Sequence, residues 1–195
     1  MRRLGRRFFQ RDAVEVARDL LNKVLVVGEC SGRIVETEAY GPDDPASHSY
    51  RGQTARNRVM FGAPGLLYVY FTYGMHHCAN VVTGPAGEGS AVLIRALHPL
   101  TGLDTMRSRR AAARRDVDLT SGPAKACQAL GLDLDDNGAD TVTSSTVRLC
   151  DDGTAPPLRP GVSPRIGISV AADVPWRFFV EGDPYVSREI GRAHV

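Results

Sequence analysis

Apolar and polar positions alternate most clearly from Ile34 to Tyr40. Val35, Thr37 and Ala39 fall on one face of an extended strand there, and Glu36, Glu38 and Tyr40 on the other. Leu66 to Thr72 and His77 to Val82 form a second strand pair around the turn Tyr73-Gly74-Met75, which is the pattern of a β-hairpin. Ala91 to Leu97 is an apolar run broken only by Arg95 and predicts a buried strand. Upstream, Ala13, Val16, Ala17, Leu20, Leu21 and Val24 recur at helical spacing behind Asp12, with Glu15 three residues on. They predict a helix capped by Asp12 and packed on the sheet, followed by a short strand at Leu25-Val26-Val27.

Further along, residues 102–115 read as a helix ending in arginines, and Gly122-Pro123 opens another that runs to Leu130 and stops at Gly131. Asp151 to Pro164 reads as a Pro- and Gly-rich loop, and Arg165 to Val170 and Trp176 to Val180 as closing strands. No internal repeat or domain linker interrupts the pattern. The expected fold is a single mixed α/β (α+β) domain over residues 1–195, with a curved, largely antiparallel sheet, packed helices and a protruding hairpin.

The chemistry is densest between Ile34 and Asn80. Two carboxylates and a phenol share one strand face, for which the ordinary reading is solvation, since charged side chains are mostly exposed. Beyond the turn-rich Gly41 to Pro45 come His48 and the run from Arg51 to Arg58, with cations and amides suited to phosphate oxygens. An aromatic at a hairpin tip beside an arginine-rich loop suits a wedge that pushes a base out of a duplex from the minor groove. Arg95 inside an apolar strand requires a carboxylate or phosphate partner.

These residues resemble the alkyladenine (3-methyladenine) DNA glycosylases of the single-domain type found in bacteria and animals. The likeness rests on Val35 to Tyr40, His48, Gln53-Thr54, Arg56 to Arg58, Met60-Phe61, Leu67 to Tyr70, Tyr73 to Met75 and Asn80. It continues through Leu93 to Leu97, Ser121 to Pro123 and Trp176 to Phe178. The resemblance implies a base-excision-repair enzyme acting on double-stranded DNA that contains damaged purines. Glu38 would activate a water, helped by Arg95 and the backbone carbonyl of Ile166. Tyr40, His48, Tyr70, Cys78 and Asn80 would form the base pocket, Asn80 excluding guanine. Tyr73 and Met75 would intercalate, and Arg51, Arg56 and Arg58 would meet the DNA backbone. Only the family motif selects Glu38 over Glu36, since both lie on one face. The chain departs from the animal enzymes in a loop after Tyr40 one residue shorter, and in His76-His77 where they carry bulkier aromatics.

Composition narrows the reading further. The 195 residues, 43% hydrophobic, suffice for one core, and no apolar run approaches the ~20 residues that span a bilayer. The paired arginines at residues 2–7 precede no apolar stretch, so no signal peptide is expected; the expectation is a cytoplasmic, nucleoid-associated monomer without membrane contact. Net charge is only +2, but of the 24 basic residues just Lys23 and Lys125 are lysines, which favours forked contacts to phosphate. With neither lysine in the central stretch, a Schiff-base nucleophile is not expected, and hydrolysis without strand cleavage is. Cys30, Cys78, Cys127 and Cys150 stand far apart, and His76 and His77 on a strand point to opposite faces, so neither a metal nor a cofactor is expected. Two other readings compete: a non-catalytic minor-groove damage binder with a structural Glu38, and a nucleoside hydrolase with no need of the wedge.

Overall fold

The computed structural model of the chain describes residues 1–72 and 74–187. Among them the strands are β1 (Arg2–Arg3), β2 (Val24–Val27), β3 (Cys30–Tyr40), β4 (Leu67–Thr72), β5 (His76–Thr83), β6 (Ser90–Thr101), β7 (Val147–Asp151), β8 (Gly161–Ser163) and β9 (Arg177–Phe179). They join in one antiparallel sheet of order β1-β7-β2-β3-β6-β5-β4, with β9 paired to β3 and β8 to β9. Helices α1 (Arg6–Phe9), α2 (Ala13–Leu20), α3 (Leu103–Arg109), α4 (Val117–Thr120) and α5 (Pro123–Leu130) complete a mixed α/β domain. None of these helices is long and apolar enough to cross a membrane.

The side-chain period of two divides the work of the sheet. Val69, Ala79, Val81, Val92, Ile94 and Leu97 join one core with α2 and α5. Tyr68, Tyr70, Cys78, Asn80, Leu93 and Arg95 instead line a cavity. β3 has partners along its whole length: β2 covers Cys30 to Arg33, β9 covers Glu36 to Glu38, and β6 runs along the other edge. The β3–β6 register slips between Ile34 and Glu36 and again between Glu36 and Thr37, which leaves Val35 and Arg95 without a direct opposite residue. Such bulges bend a sheet and re-aim the side chains beside them.

Asp12 caps α2 as expected, accepting from the backbone N–H groups of Val14 at 2.8 Å and Glu15 at 3.4 Å. The helix expected over 102–115 is shorter. Backbone geometry leaves the helical region at Arg110, and α4 follows separately. Between Met106 and Leu119 no side chain is fully buried, so no apolar face extends the helix, and Arg109 and Arg110 bond to Ala129 and Gln128 of α5 instead. The strand expected at 165–170 is also absent, while β8 lies inside the expected loop. At Ile166 the backbone N–H is taken by a side-chain carboxylate rather than a ladder partner, and Gly167 has a left-handed φ of 79°. β4 and β5 pair from Leu67 with Val81 to Thr72 with His76; Tyr73, the expected tip of a protruding hairpin, lies outside the described residues.

Replacing Asp12 by Ala leaves two N–H groups at the start of α2 uncapped and should destabilise the fold by about 1 kcal/mol. Urea unfolding of the two proteins checks this.

Candidate active site

β3, β6 and β9 bring four charges together out of water. Glu36 and Glu38 are both fully buried, which reverses the ordinary expectation for two acids on one strand face. Arg95, set at the bulge, bridges them: its Nε donates to Glu36 Oε1 at 2.8 Å and its Nη1 lies 3.1 Å from Glu38 Oε1. Arg177 of β9 donates from Nε to Glu36 Oε1 at 2.7 Å, so two cations balance two anions.

The two glutamates differ in how their oxygens are used. Glu36 receives four donors: Arg95, Arg177, and both the backbone N–H and the hydroxyl of Ser187, each of these last two at 2.7 Å. Glu38 receives two, the Tyr40 hydroxyl on Oε2 at 2.8 Å and the Ile166 backbone N–H on Oε1 at 2.7 Å, beside its ion contact with Arg95. Three of the Glu36 donors crowd Oε1, and a carboxylate oxygen offers about two lone-pair sites, so Oε2 of each glutamate, with one donor apiece, retains acceptor room.

Glu38 does not line the cavity itself, but Tyr40, Arg95 and Ile166, its three partners, all do. The cavity holds about 1060 Å³. His48 meets Tyr70 edge-on with ring centres 4.5 Å apart, and Tyr70 stacks on Tyr68 at 5.5 Å. Cys78 and Asn80, neighbours of Tyr70 and Tyr68 across the β4–β5 ladder, complete the wall. Asn80 Nδ2 donates to the Tyr68 carbonyl at 3.2 Å, which fixes the side-chain amide. The resemblance implied a role for the Ile166 carbonyl; the contact present is the Ile166 N–H on Glu38.

Electrostatics keep the aromatic wall neutral. Burial, then the charge and hydrogen bond of Glu38, push the Tyr40 phenol far above its ordinary range, and burial and Cys78 do the same for Tyr70. Partial burial and the nearby Arg56 hold the His48 imidazole below its usual value. For Glu36, burial favours the protonated form, but Arg95, Arg177 and Ser187 outweigh it and hold the carboxyl below 4.5.

Outside the cavity, Arg51, Arg56 and Arg58 are exposed, and Arg56 Nη2 also donates to the Phe71 carbonyl at 3.1 Å. Asn57, within the same run, is buried and staples the loop: its Nδ2 donates to the carbonyls of His48 and Gly52, and its Oδ1 accepts from Thr54. That amide is not available to a phosphate. Met75 is 69% exposed beside the expected tip.

A model of the methylpurine-DNA glycosylase family matches residues 7–184. The chain belongs to that family. It is 53% identical over 192 residues to a protein of Burkholderia lata, covering 97% of this chain and 93% of the relative. It is 50% identical over 187 residues to one of Methanoculleus marisnigri, covering 93% and 96%, and 47% over 190 to one of Carboxydothermus hydrogenoformans, covering 95% and 99%. All three relatives are provisionally named as 3-methyladenine DNA glycosylases.

Sequence reasoning missed several residues that this family site brings together. Arg177 sat inside a recognised motif, yet its partner Glu36 is 141 positions away. Ser187 carried no signal at all. Tyr68, whose hydroxyl lies 3.1 Å from His48 Nδ1, read simply as a strand residue. Lys125 was set aside as outside the central stretch, but it lines the cavity, with its Nζ 3.4 Å from the Ser121 hydroxyl.

Changing Glu36 to Gln breaks a buried charge cluster and should cost about 3–5 kcal/mol at neutral pH. Because the folded-state pKa is depressed, this contribution is fully present above the unfolded value near 4.5 and is lost as pH falls through the folded one. Denaturant unfolding of wild type and Glu36→Gln at pH 7 and below pH 4.5 should therefore show the stability gap narrowing in acid.

Proposed function

We propose that this family member flips damaged purines from duplex DNA and hydrolyses their N-glycosidic bond with a water activated by Glu38. The observation that carries the reading is the Glu38 carboxylate, held by Tyr40, Ile166 and Arg95 at the back of an aromatic-walled cavity and left with acceptor room on Oε2. In this reading the water gives its proton to Glu38 as its oxygen bonds the anomeric carbon. The C–N bond breaks with its electron pair leaving on the base, and the product is an abasic site. General-base help of this kind contributes about 100-fold to 10,000-fold in rate.

Tyr40, His48 and Tyr70 supply faces and edges for the flipped base, and their neutrality suits an aromatic guest, including one carrying the positive charge of an alkylated purine. In this reading Asn80, fixed by its bond to the Tyr68 carbonyl, excludes guanine by clashing with its amino group, and Cys78 shapes the wall beside it. The substrates expected are 3-methyladenine, 7-methylguanine, hypoxanthine and ethenoadenine, the neutral lesions needing more help to leave. Arg51, Arg56 and Arg58 meet the strand by phosphate contacts, and Met75 accompanies Tyr73 in filling the gap left by the base.

The reaction ends at the abasic site. Lys23 is tied to Asp151 at 3.0 Å and the Thr154 carbonyl at 3.1 Å, so among the lysines only Lys125 lines the cavity, and it is not a partner of Glu38. Borohydride should trap no protein–DNA adduct with wild type; an adduct lost in Lys125→Ala would make the protein a lyase.

The deciding experiment follows base release from duplexes carrying each lesion, with wild type and Glu38→Gln side by side in chelator. Release by wild type and a fall of about 100-fold or more in Glu38→Gln is expected. Lesion binding by both proteins without release by either would replace the glycosylase with a damage binder.

A further inference from the structure

Beneath the Tyr40 ring lies a second buried ion pair that the reaction scheme does not use. The side chains of Arg165 and Asp44 are 0% and 1% exposed, and the guanidinium grips the carboxylate with both Nη atoms, the Nη2 bond being 2.9 Å. Nη1 also donates to the Ala39 carbonyl at 2.9 Å, just past the point where the β3–β9 ladder ends. The guanidinium carbon sits 4.6 Å from the Tyr40 ring centre and 5.3 Å from that of Trp176.

We propose that Arg165, oriented by Asp44, is a positioning residue for the Glu38-dependent reaction. Both hydrogen-bond donors on Glu38 hang from it. The Tyr40 hydroxyl, on Oε2, belongs to the ring that Arg165 underlies; the Ile166 N–H, on Oε1, belongs to the next residue along the chain. Asp44 carries the same constraint into the loop before His48, since its Oδ1 accepts from the Ala46 N–H at 3.0 Å and its carbonyl from the Ser47 N–H at 2.8 Å. One pair therefore sets the oxygens of Glu38 and the approach to the cavity wall.

Stability alone does not account for it. A buried ion pair loses most of its Coulomb gain to desolvation, and an apolar replacement of similar volume is often as stable. Arg165 also keeps a buried Nε without a partner, a further cost. What an apolar pair would lack is the planar fork that bonds a carboxylate and a carbonyl while stacking under an aromatic ring.

The inference rests on Glu38 acting as the general base, so Glu38→Gln is the control. Arg165→Lys keeps a cation for Asp44 but has no fork and no plane. The double variant Arg165→Met, Asp44→Leu removes the pair without stranding a charge. Each is compared with wild type in single-turnover release of hypoxanthine from duplex DNA, in affinity for the same duplex, and in thermal unfolding. Small displacements of reacting groups cost on the order of 100-fold. Both variants should therefore release base about 10- to 100-fold more slowly while binding the lesion within about 3-fold of wild type and remaining folded. Wild-type rates in either variant overturn the proposal, as does a rate loss matched by an equal loss of affinity. Unfolding of both variants makes the pair a structural brace and overturns it too. A wild type that releases no base, like Glu38→Gln, points instead to failure of the glycosylase reading.

Discussion

Two carboxylates on one buried strand face must be neutralised locally or not ionised at all, and much of this site can be derived from that requirement. Glu36 and Glu38 stand two residues apart with no exposure. Desolvating even one carboxylate costs several kcal/mol, and two of like sign add repulsion. Arg95 meets both because a bulge on β6 aims it between them, and Arg177 brings the net charge of the four to zero. The bulge, the short β9 strand and the packing of Ser187 against Glu36 are thus three consequences of one electrostatic constraint.

Within that cluster the two acids differ in how many hydrogen bonds they accept and from which groups. Glu36 accepts four hydrogen bonds and Glu38 two, and the groups around Glu38 are a phenol, a backbone N–H and an ion-paired guanidinium from residues that border the cavity. Fixed dipoles of this kind need no reorganisation when charge develops, which is the usual source of electrostatic catalysis. The same sheet supplies core packing on its other face, so the site stands on strands whose neighbours are already close-packed.

What was legible in the sequence followed from periodicity, and what was not depended on contacts across the chain. The alternation from Ile34 to Tyr40 placed both glutamates on the correct face, and the isolated Arg95 announced a buried partner. Neither could say how the partners of the two acids differ, because Arg177 and Ser187, which bond Glu36, lie 141 and 151 positions away. Asp44 read as an ordinary turn residue and Arg165 as the start of a strand; their pairing spans 121 positions and leaves no local pattern. Asn57 was legible as a polar group in a basic run, but its burial, which turns it from a phosphate donor into a loop staple, was not. The helix over 102–115 was overextended because alanines and arginines satisfy helical propensity without providing an apolar face to bury.

The same distances bear on how the site is assembled. Three of the four donors to Glu36 come from residues after 176, and the segment that carries Ser187 is also held by His98, whose Nδ1 lies 3.1 Å from Asp183 and whose ring packs 4.5 Å from that of Tyr185. Without Arg177 and Ser187, Glu36 would have Arg95 alone, and Arg95 is divided between two carboxylates. Contacts this far apart in sequence carry a larger loop-closure cost than the local β4–β5 and β5–β6 pairings. The charge balance that fixes Arg95 beside Glu38 is therefore completed from the end of the described chain, and the central stretch that carries nearly all the recognisable chemistry does not make the site by itself.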